Sequence, residues 1–327
     1  MPATPVQVSV LAPISPAIER TRRLLFQPFV LSRWFAIGFC AWLARLAETG
    51  FSGFNSRFLS PRGPSLPSFP SGDESIGPWG RHVRSQLAEN LYWIVPLTIA
   101  IFCVVAALWL LAIWLGSRGE FMFLHCVALD RAEVAVPWRR YAGEARSLFH
   151  FRVALGLIAV TPIFLLLAGI VVFVGWIFHE GGDMAPAVVL PMIVAGMAIL
   201  AIGLGFVVVA KLTQDMVVPI MYVRGGTWRQ AWDELLGLVA GRRHLLIVYL
   251  LFQIVLGLAI GMVVLAAVIA TCCLAACLLI IPYIGTVAML PVLVFQRCYA
   301  VIYLEQLGVA IFPVAAPPPA PAAAGAS

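Results

Sequence analysis

Residues 184–282 read MAPAVVLPMIVAGMAILAIGLGFVVVA (184–210), KLTQDMVVPIMYVRGGTWRQAWDELLGLVAGRRH (211–244) and LLIVYLLFQIVLGLAIGMVVLAAVIATCCLAACLLIIP (245–282). An apolar run is followed by an arginine-bearing segment with a tryptophan pair, then by a second apolar run. Neither apolar run holds an Asp, Glu, Lys or Arg. A helix needs about 20 apolar residues to cross a hydrocarbon core, so 184–210 is one crossing. The charge-free stretch that opens at Leu245 closes only at Gln296, after 52 residues. As one helix it would be about 78 Å long, so it must fold back. Much of the same order appears upstream between Leu91 and Phe178, which makes the unit a membrane hairpin used at least twice.

The rest of the chain fits that reading. Hydrophobic residues make up 62% of it and charged residues 11%, whereas soluble domains sit near 45–50% and about 25%. Two more charge-free runs, 91–117 and 153–178, are one crossing each. The net charge of +6 comes from 20 Arg and one Lys against 15 acids. The arginines lie scattered between the apolar runs with no basic stripe, so the partners they point to are anionic lipid headgroups and not nucleic acid. The preference for Arg over Lys, with abundant Ala, fits a GC-rich bacterial genome. The seven cysteines sit mostly inside apolar runs and make no disulfide framework or zinc-spaced pair.

The pattern predicts an all-α, polytopic membrane bundle of about six transmembrane helices, with amphipathic interfacial helices on the cytosolic side. Residues 1–14 read as irregular, with no basic segment before an apolar core and so no cleaved leader. The membrane domain occupies 15–312. Pro16–Gln27 is a short interfacial helix with Ile18, Leu25 and Phe26 on its apolar side. The first span, 28–47, is short and carries Arg33 and Arg45, which snorkel; a re-entrant or interfacial segment is the competing reading. The Gly/Pro/Ser-rich stretch 48–90 is an external loop. The later spans are 91–116, 153–178, 185–210, 245–270 and 282–307. The tail 313–327 is low-complexity and disordered.

Between spans two and three, Trp138, Tyr141, Ala145, Leu148 and Phe149 share one helical face, and Trp228, Trp232, Leu235 and Val239 share another. Thr227 and Gln230 form a capping box for the second of these helices. Trp138, Tyr141, Trp228 and Trp232 are therefore candidate interfacial anchors. Trp138 and Trp228 are 90 residues apart, each followed by Arg, which suggests a parallel repeat of 91–178 and 184–275. With six spans, one side receives 15 Lys/Arg and the other 4, which places both termini in the cytoplasm of a bacterial inner membrane.

Three strings, SRGEFMFLHCVALDR (117–131), PWRRYAGEARSLFHFR (137–152) and DMVVPIMYVRGGTWRQAWDEL (215–235), resemble an uncharacterised family of bacterial multi-pass inner-membrane proteins. That family is distantly similar to the membrane domain found beside some glycerophosphodiester phosphodiesterases. The resemblance implies a multi-pass fold over most of the chain. It supplies no reaction and no functional residue, because no soluble stretch is long enough for the catalytic barrel.

Candidate sites are few. His179-Glu180-x-x-Asp183 lacks the second histidine of a zinc helix and reads as a solvated turn. Lys211 and Asp215 are one turn apart and form an ion pair near the end of span four. Arg297 lies inside span six, too far along one helix from Glu305 for contact, and requires a partner from another helix. Gln253 in span five and Thr161-Pro162 in span three are polar or kinking positions that join helices. Gly257-x3-Gly261 allows close helix packing, and Cys272, Cys273 and Cys277 read as inert thiols. No nucleophile–base set, phosphate loop or paired carboxylates occurs, so the expectation is no catalytic residue, no cofactor and no metal. The function expected is a non-enzymatic membrane scaffold or assembly partner, with membrane lipids and other membrane proteins as partners. The alternative is a small transporter or channel for a lipid or other amphiphile, lined by Arg297, Gln253 or Asp215.

Reporters fused to either end should both report from the cytoplasm, and the protein should stay in the membrane pellet after alkaline carbonate extraction. A periplasmic signal at either end overturns the sidedness.

Overall fold

A computed structural model describes residues 8–58, 79–132, 134–180, 185–242, 244–271, 279 and 281–312. Among these the regular structure is helical throughout, with no strand. Helix α1 is Ile14–Phe26 and α2 is Leu31–Phe58. Helix α3, Trp79–Leu129, has 51 residues, about 76 Å at 1.5 Å per residue. Helices α4 (Ala135–Arg140) and α5 (Ala142–Glu180) follow. Helix α6 (Ala185–Leu212) passes through a π-helical turn, Thr213–Val217, into α7 (Val218–Arg224). Then come α8 (Trp228–Leu238), α9 (His244–Ala270), α10 (Pro282–Ala288) and α11 (Leu290–Gln306).

Four stretches are long and apolar enough to cross a membrane: Val95–Leu129, Ala142–Phe173, Leu190–Arg224 and His244–Ala270. The pair α10–α11, bent by 63° at its break, makes a fifth if counted as one. Protein buries no more than 11% of the most apolar part of each of the four. Exposed apolar surface of this extent is consistent with a membrane protein.

Burial concentrates at one end instead. Every residue from Phe121 to Ala128 is at most 7% exposed. A helix covered all round in this way is walled by other helices. Its walls are α1, α2, α5, α7 and α11, through residues such as Leu25, Ile37, Leu148, Ile220 and Tyr299, all at most 1% exposed. The lower half of the molecule is therefore a protein-packed base, and the upper halves of the long helices project from it. Helices α2 and α3 meet most closely at Gly119, where a Cβ would collide with the backbone of Leu43 and Ala44.

Several boundaries differ from the sequence expectations. Helix α1 turns Ala17, Thr21, Leu24 and Leu25 inward and leaves Ile18 and Phe26 about half exposed. It docks along α11, where the polypeptide just before α1 accepts a bond from Tyr299 Oη at Val10 O (2.8 Å). The stretch 28–47 lies beside the base section of α3: Arg33 Nη2 donates to Asp130 Oδ1 at 2.9 Å, and Cys40 Sγ is 4.0 Å from Cys126 Sγ. Of the expected external loop 48–90, residues up to Phe58 belong to α2 and those from Trp79 to α3. Ser117-Arg118-Gly119 does not end α3, because Ser117 Oγ returns its bond to Ile113 O inside the helix (2.8 Å). The expected span 282–307 is two helices, and α10 leans back onto α2, with Tyr283 Oη donating to Phe35 O at 3.0 Å.

Among the described residues Gly257 and Gly261 have nothing within 4 Å of where a Cβ would stand, and Thr161 is exposed, so neither site joins described helices. The turn 181–183, Cys272, Cys273 and Cys277, the segment 59–78 and the tail 313–327 lie outside the described residues.

Gly119→Ala should destabilise the protein by on the order of 1–3 kcal/mol, the cost of overpacking. Gly257→Ala should be neutral or stabilising by up to about 1 kcal/mol from helix propensity. Unfolding titrations in mixed SDS micelles would read both, and equal effects would contradict the packing described.

Candidate functional site

The four long apolar stretches enter the base at the same kind of position. The charge-free run 91–117 ends at Arg118 and Glu120, 153–178 begins after Arg152, 184–210 ends at Lys211 and Asp215, and 245–296 ends at Arg297. The fold gathers these charges into one buried layer. Glu120, 1% exposed, accepts from two guanidiniums: Arg297 Nη2 at 2.8 Å on Oε2 and Arg152 Nη2 at 3.0 Å on Oε1. The close α2–α3 approach at Gly119 fixes the height of Glu120. Arg297, 5% exposed, spends Nη1 on the carbonyl of Gln214 at 2.6 Å. Gln214 lies in the π-helical turn, whose wider winding shifts carbonyls out of the i→i−4 ladder. That irregularity joins α6 to α11.

A second cluster lies alongside. Asp215 Oδ2 accepts from Lys211 Nζ at 2.9 Å and from Tyr249 Oη at 2.9 Å. Gln253 Nε2 donates to Tyr249 Oη at 2.8 Å. Gln253 is therefore committed to its own helix and, through Tyr249, to the π turn. Tyr249 stacks with Tyr303 and Tyr299, ring centroids 4.8 and 6.1 Å away. Glu305 sits apart from Arg297 and accepts the backbone N–H groups of Ile311 and Phe312 at 3.2 and 2.9 Å.

A cavity of about 140 Å³ opens between the two clusters. Its polar wall is Arg45, Lys211, Gln214, Asp215, Gln296 and Arg297, and its apolar wall includes Ala41, Ala44 and Phe123. Gln253 is not part of it. Arg297 Nε and Arg152 Nη1 are buried with no hydrogen-bond partner among the described residues. An unmet buried donor costs about 1–3 kcal/mol, more on a charged group. Among the described residues no three His, Cys, Asp or Glu side chains converge as a metal set would.

A larger cavity, about 480 Å³, lies at the outer face of the base between α1 and α11. Its charges are mixed: Glu19, Arg20, Arg23, Asp130 and Glu305. Arg23 pairs with Glu19 at 2.8 Å, and Asp130 with Arg33. Arg20 donates to Ala128 O and lies 3.5 Å from the Phe312 ring centroid. Burial lowers the Arg20 pKa from its ordinary value, but a guanidinium remains charged in proteins. This cavity therefore carries charges of both signs, of which Arg23 and Asp130 are in ion pairs.

Of the aromatic residues singled out as interfacial anchors, Tyr141 faces inward, 9% exposed, 4.9 Å from the Tyr222 ring and 5.9 Å from that of Phe121. Trp138 and Trp114 hold Arg118 between them, 4.7 and 4.8 Å from the ring centroids. The Trp228 N–H donates to Ser147 Oγ at 3.0 Å, and Trp228 and Trp232 both pack on Phe151. The Thr227 N–H donates to Gln230 Oε1 at 2.9 Å, which caps α8. Trp138 and Tyr141 thus pack on α3 and α7, and Trp228 and Trp232 fasten α8 to α5. Glu120, the partner of Arg297, and Arg152, the second guanidinium on that carboxylate, are not visible as candidates in the sequence: each is one charge among many near a run's end.

Glu120→Gln should destabilise the protein by on the order of 3–5 kcal/mol, because two buried guanidiniums lose their counter-charge. Tyr249→Phe should cost about 1 kcal/mol, since Lys211 still holds Asp215. The same SDS titrations measure both; equal costs would mean that Glu120 does not carry the layer.

Comparison with curated proteins returns no match, and none is found among solved structures. One family profile matches residues 8–319, that of a family of unknown function designated DUF7544. Nothing connects it with the membrane domains of glycerophosphodiester phosphodiesterases, so that part of the resemblance is withdrawn. The match spans the base, all four long apolar stretches and the ionic layer, and the chain belongs to this DUF7544 family of unknown function.

Proposed function

We propose that this is a multi-pass protein of the bacterial inner membrane that works without chemistry of its own, as a scaffold or assembly partner. The observation that carries this reading is how the buried charges are used. Glu120 ties α3 to α5 and α11, Asp215 ties the π turn to α9, and Gln253 is spent on Tyr249. Groups placed this way clamp helices together. The transporter reading needs a continuous path lined by Arg297, Gln253 or Asp215, and the 140 Å³ cavity bordered by Arg297 and Asp215 is the observation that favours it.

Six crossings remain the count we favour, although two of them are not simple apolar helices. The start of α2 is bonded to the Leu129 end of α3, and Trp79 lies 51 helical residues from that end. We count the polypeptide that joins these two ends as the first crossing. Likewise Tyr303 Oη reaches Leu245 O at 3.1 Å, so the chain returns from the Ala270 end of α9 to its beginning. The arginine excess on the base side then supports cytoplasmic termini. The parallel repeat has weaker support: α8 is a separate helix of 11 residues, whereas α4 has six and leads almost directly into α5.

The discriminating experiment is a scrambling assay in proteoliposomes carrying a fluorescent phospholipid, with dithionite added outside. A scaffold leaves the protected fraction as in protein-free vesicles. Loss of protection more than about tenfold faster would install the transporter reading in its place.

A further inference from the structure

We propose that the base has a lipid-binding side of its own: the corner Phe26–Leu31 and the exposed faces of α2 and α10 seat in a leaflet of an anionic bilayer. The proposal rests on the reading of the long apolar helices as membrane spans. At the corner between α1 and α2, Phe26, Phe29, Val30 and Leu31 are between 38 and 60% exposed. The corner is held in place from below. Phe26 and Phe29 both pack on Trp34, ring centroids 5.6 Å away, and Trp34 Nε1 donates to Leu25 O at 2.8 Å. Single exposed apolar residues are ordinary, but a contiguous group of them marks an interaction surface.

The group does not end at the corner. Leu31, Phe35 and Phe39 stand at i, i+4 and i+8 on one face of α2, and all three are exposed. The Phe35 ring lies 6.1 Å from that of Tyr283, beside which Ile281 and Ile284 are exposed as well. From Leu24 to Ala44 the one charge is Arg33, and it turns back to Asp130. Helices α4, α5 and α8 differ, for they expose Arg139, Arg140, Arg146, Arg229 and Asp233. The base is thus finished for water at α4, α5 and α8 but not at α2 and α10. Two observations choose lipid as the cover. Helix α10 lies in the charge-free run 245–296 and opens the bent pair that is apolar enough to cross a membrane. Tyr283 Oη donates to Phe35 O, so the medium that meets α10 also meets the face of α2 beside it. Then Arg22 and Arg23 are exposed one turn before Phe26. Cations next to a row of aromatic and aliphatic side chains are the pattern of a segment lying in the interface of anionic lipids.

The test places a photoreactive benzoylphenylalanine, in separate full-length proteins, at Phe29, at Phe35 and at Leu258 in α9. Each is reconstituted in vesicles of equal parts phosphatidylcholine and phosphatidylglycerol, illuminated, and weighed by mass spectrometry. All three probes replace exposed side chains, and elution in detergent like that of the unsubstituted chain checks the fold. Phospholipid adducts should form at Phe29 and Phe35 at yields within about fivefold of that at Leu258. The Phe29 adducts should favour phosphatidylglycerol, and Arg22→Gln with Arg23→Gln should lower that preference about twofold to fivefold. Lipid adducts at Leu258 with none at Phe29 and Phe35 overturn the surface and leave the membrane reading standing. Cross-links from Phe29 or Phe35 to a second copy or to another polypeptide also overturn it, since protein is then the cover. An unchanged lipid preference overturns the role given to the two arginines. Failure at Leu258 as well overturns the membrane reading, and the surface with it.

Discussion

A single buried carboxylate facing two guanidiniums sets the terms for this molecule. Glu120 can be 1% exposed only because Arg297 and Arg152 both reach it, and those arginines can be buried only because Glu120 is there. The three side chains come from α3, α5 and α11, so their mutual need fixes how those helices stand relative to one another. Gln214 O in the π turn adds α6 to the set. Displacing α3 or α11 by one turn, about 5.4 Å, would break two charge-assisted bonds at once, and displacing α5 would break one.

This arrangement answers a difficulty specific to lipid. Between apolar helices in a bilayer there is no hydrophobic drive to associate, because acyl chains solvate Leu and Val as well as another helix does. The upper halves of α3, α5, α6 and α9 show that condition, with few residues buried by protein. The base restores a reason to associate in two ways. It buries large side chains such as Tyr249, Tyr299, Tyr303 and Phe121 against one another, and it adds polar bonds, which are directional and set register.

The sequence told the two halves apart unequally. The long apolar helices were legible because lipid demands the absence of charge over about 20 residues, and four uninterrupted runs met that demand. The capping box at Thr227 and Gln230 and the helix breaks at Gly225 and Gly226, with φ of 71° and 91°, were legible because their chemistry is local. Arg297 was visible as an isolated cation inside an apolar run. Its partner was not: Glu120 is 177 positions away and sits in SRGEF, which reads as the polar end of a span. Phe121–Ala128 was ambiguous for a related reason. A stretch buried by protein on all sides has the same composition as one buried by lipid, and only the tertiary fold separates them. The bend between α10 and α11 also left no local mark beyond Pro282 and Pro291.

The ionic layer does not close its own hydrogen-bond accounts. Two guanidiniums share one carboxylate, and Arg297 Nε and Arg152 Nη1 find no acceptor among the described residues. If adhesion between helices were the layer's sole task, an apolar substitute of the same volume would serve as well or better. What the charges add is register, because ionic bonds between fixed partners favour one arrangement of α3, α5, α6 and α11 over others of similar packing.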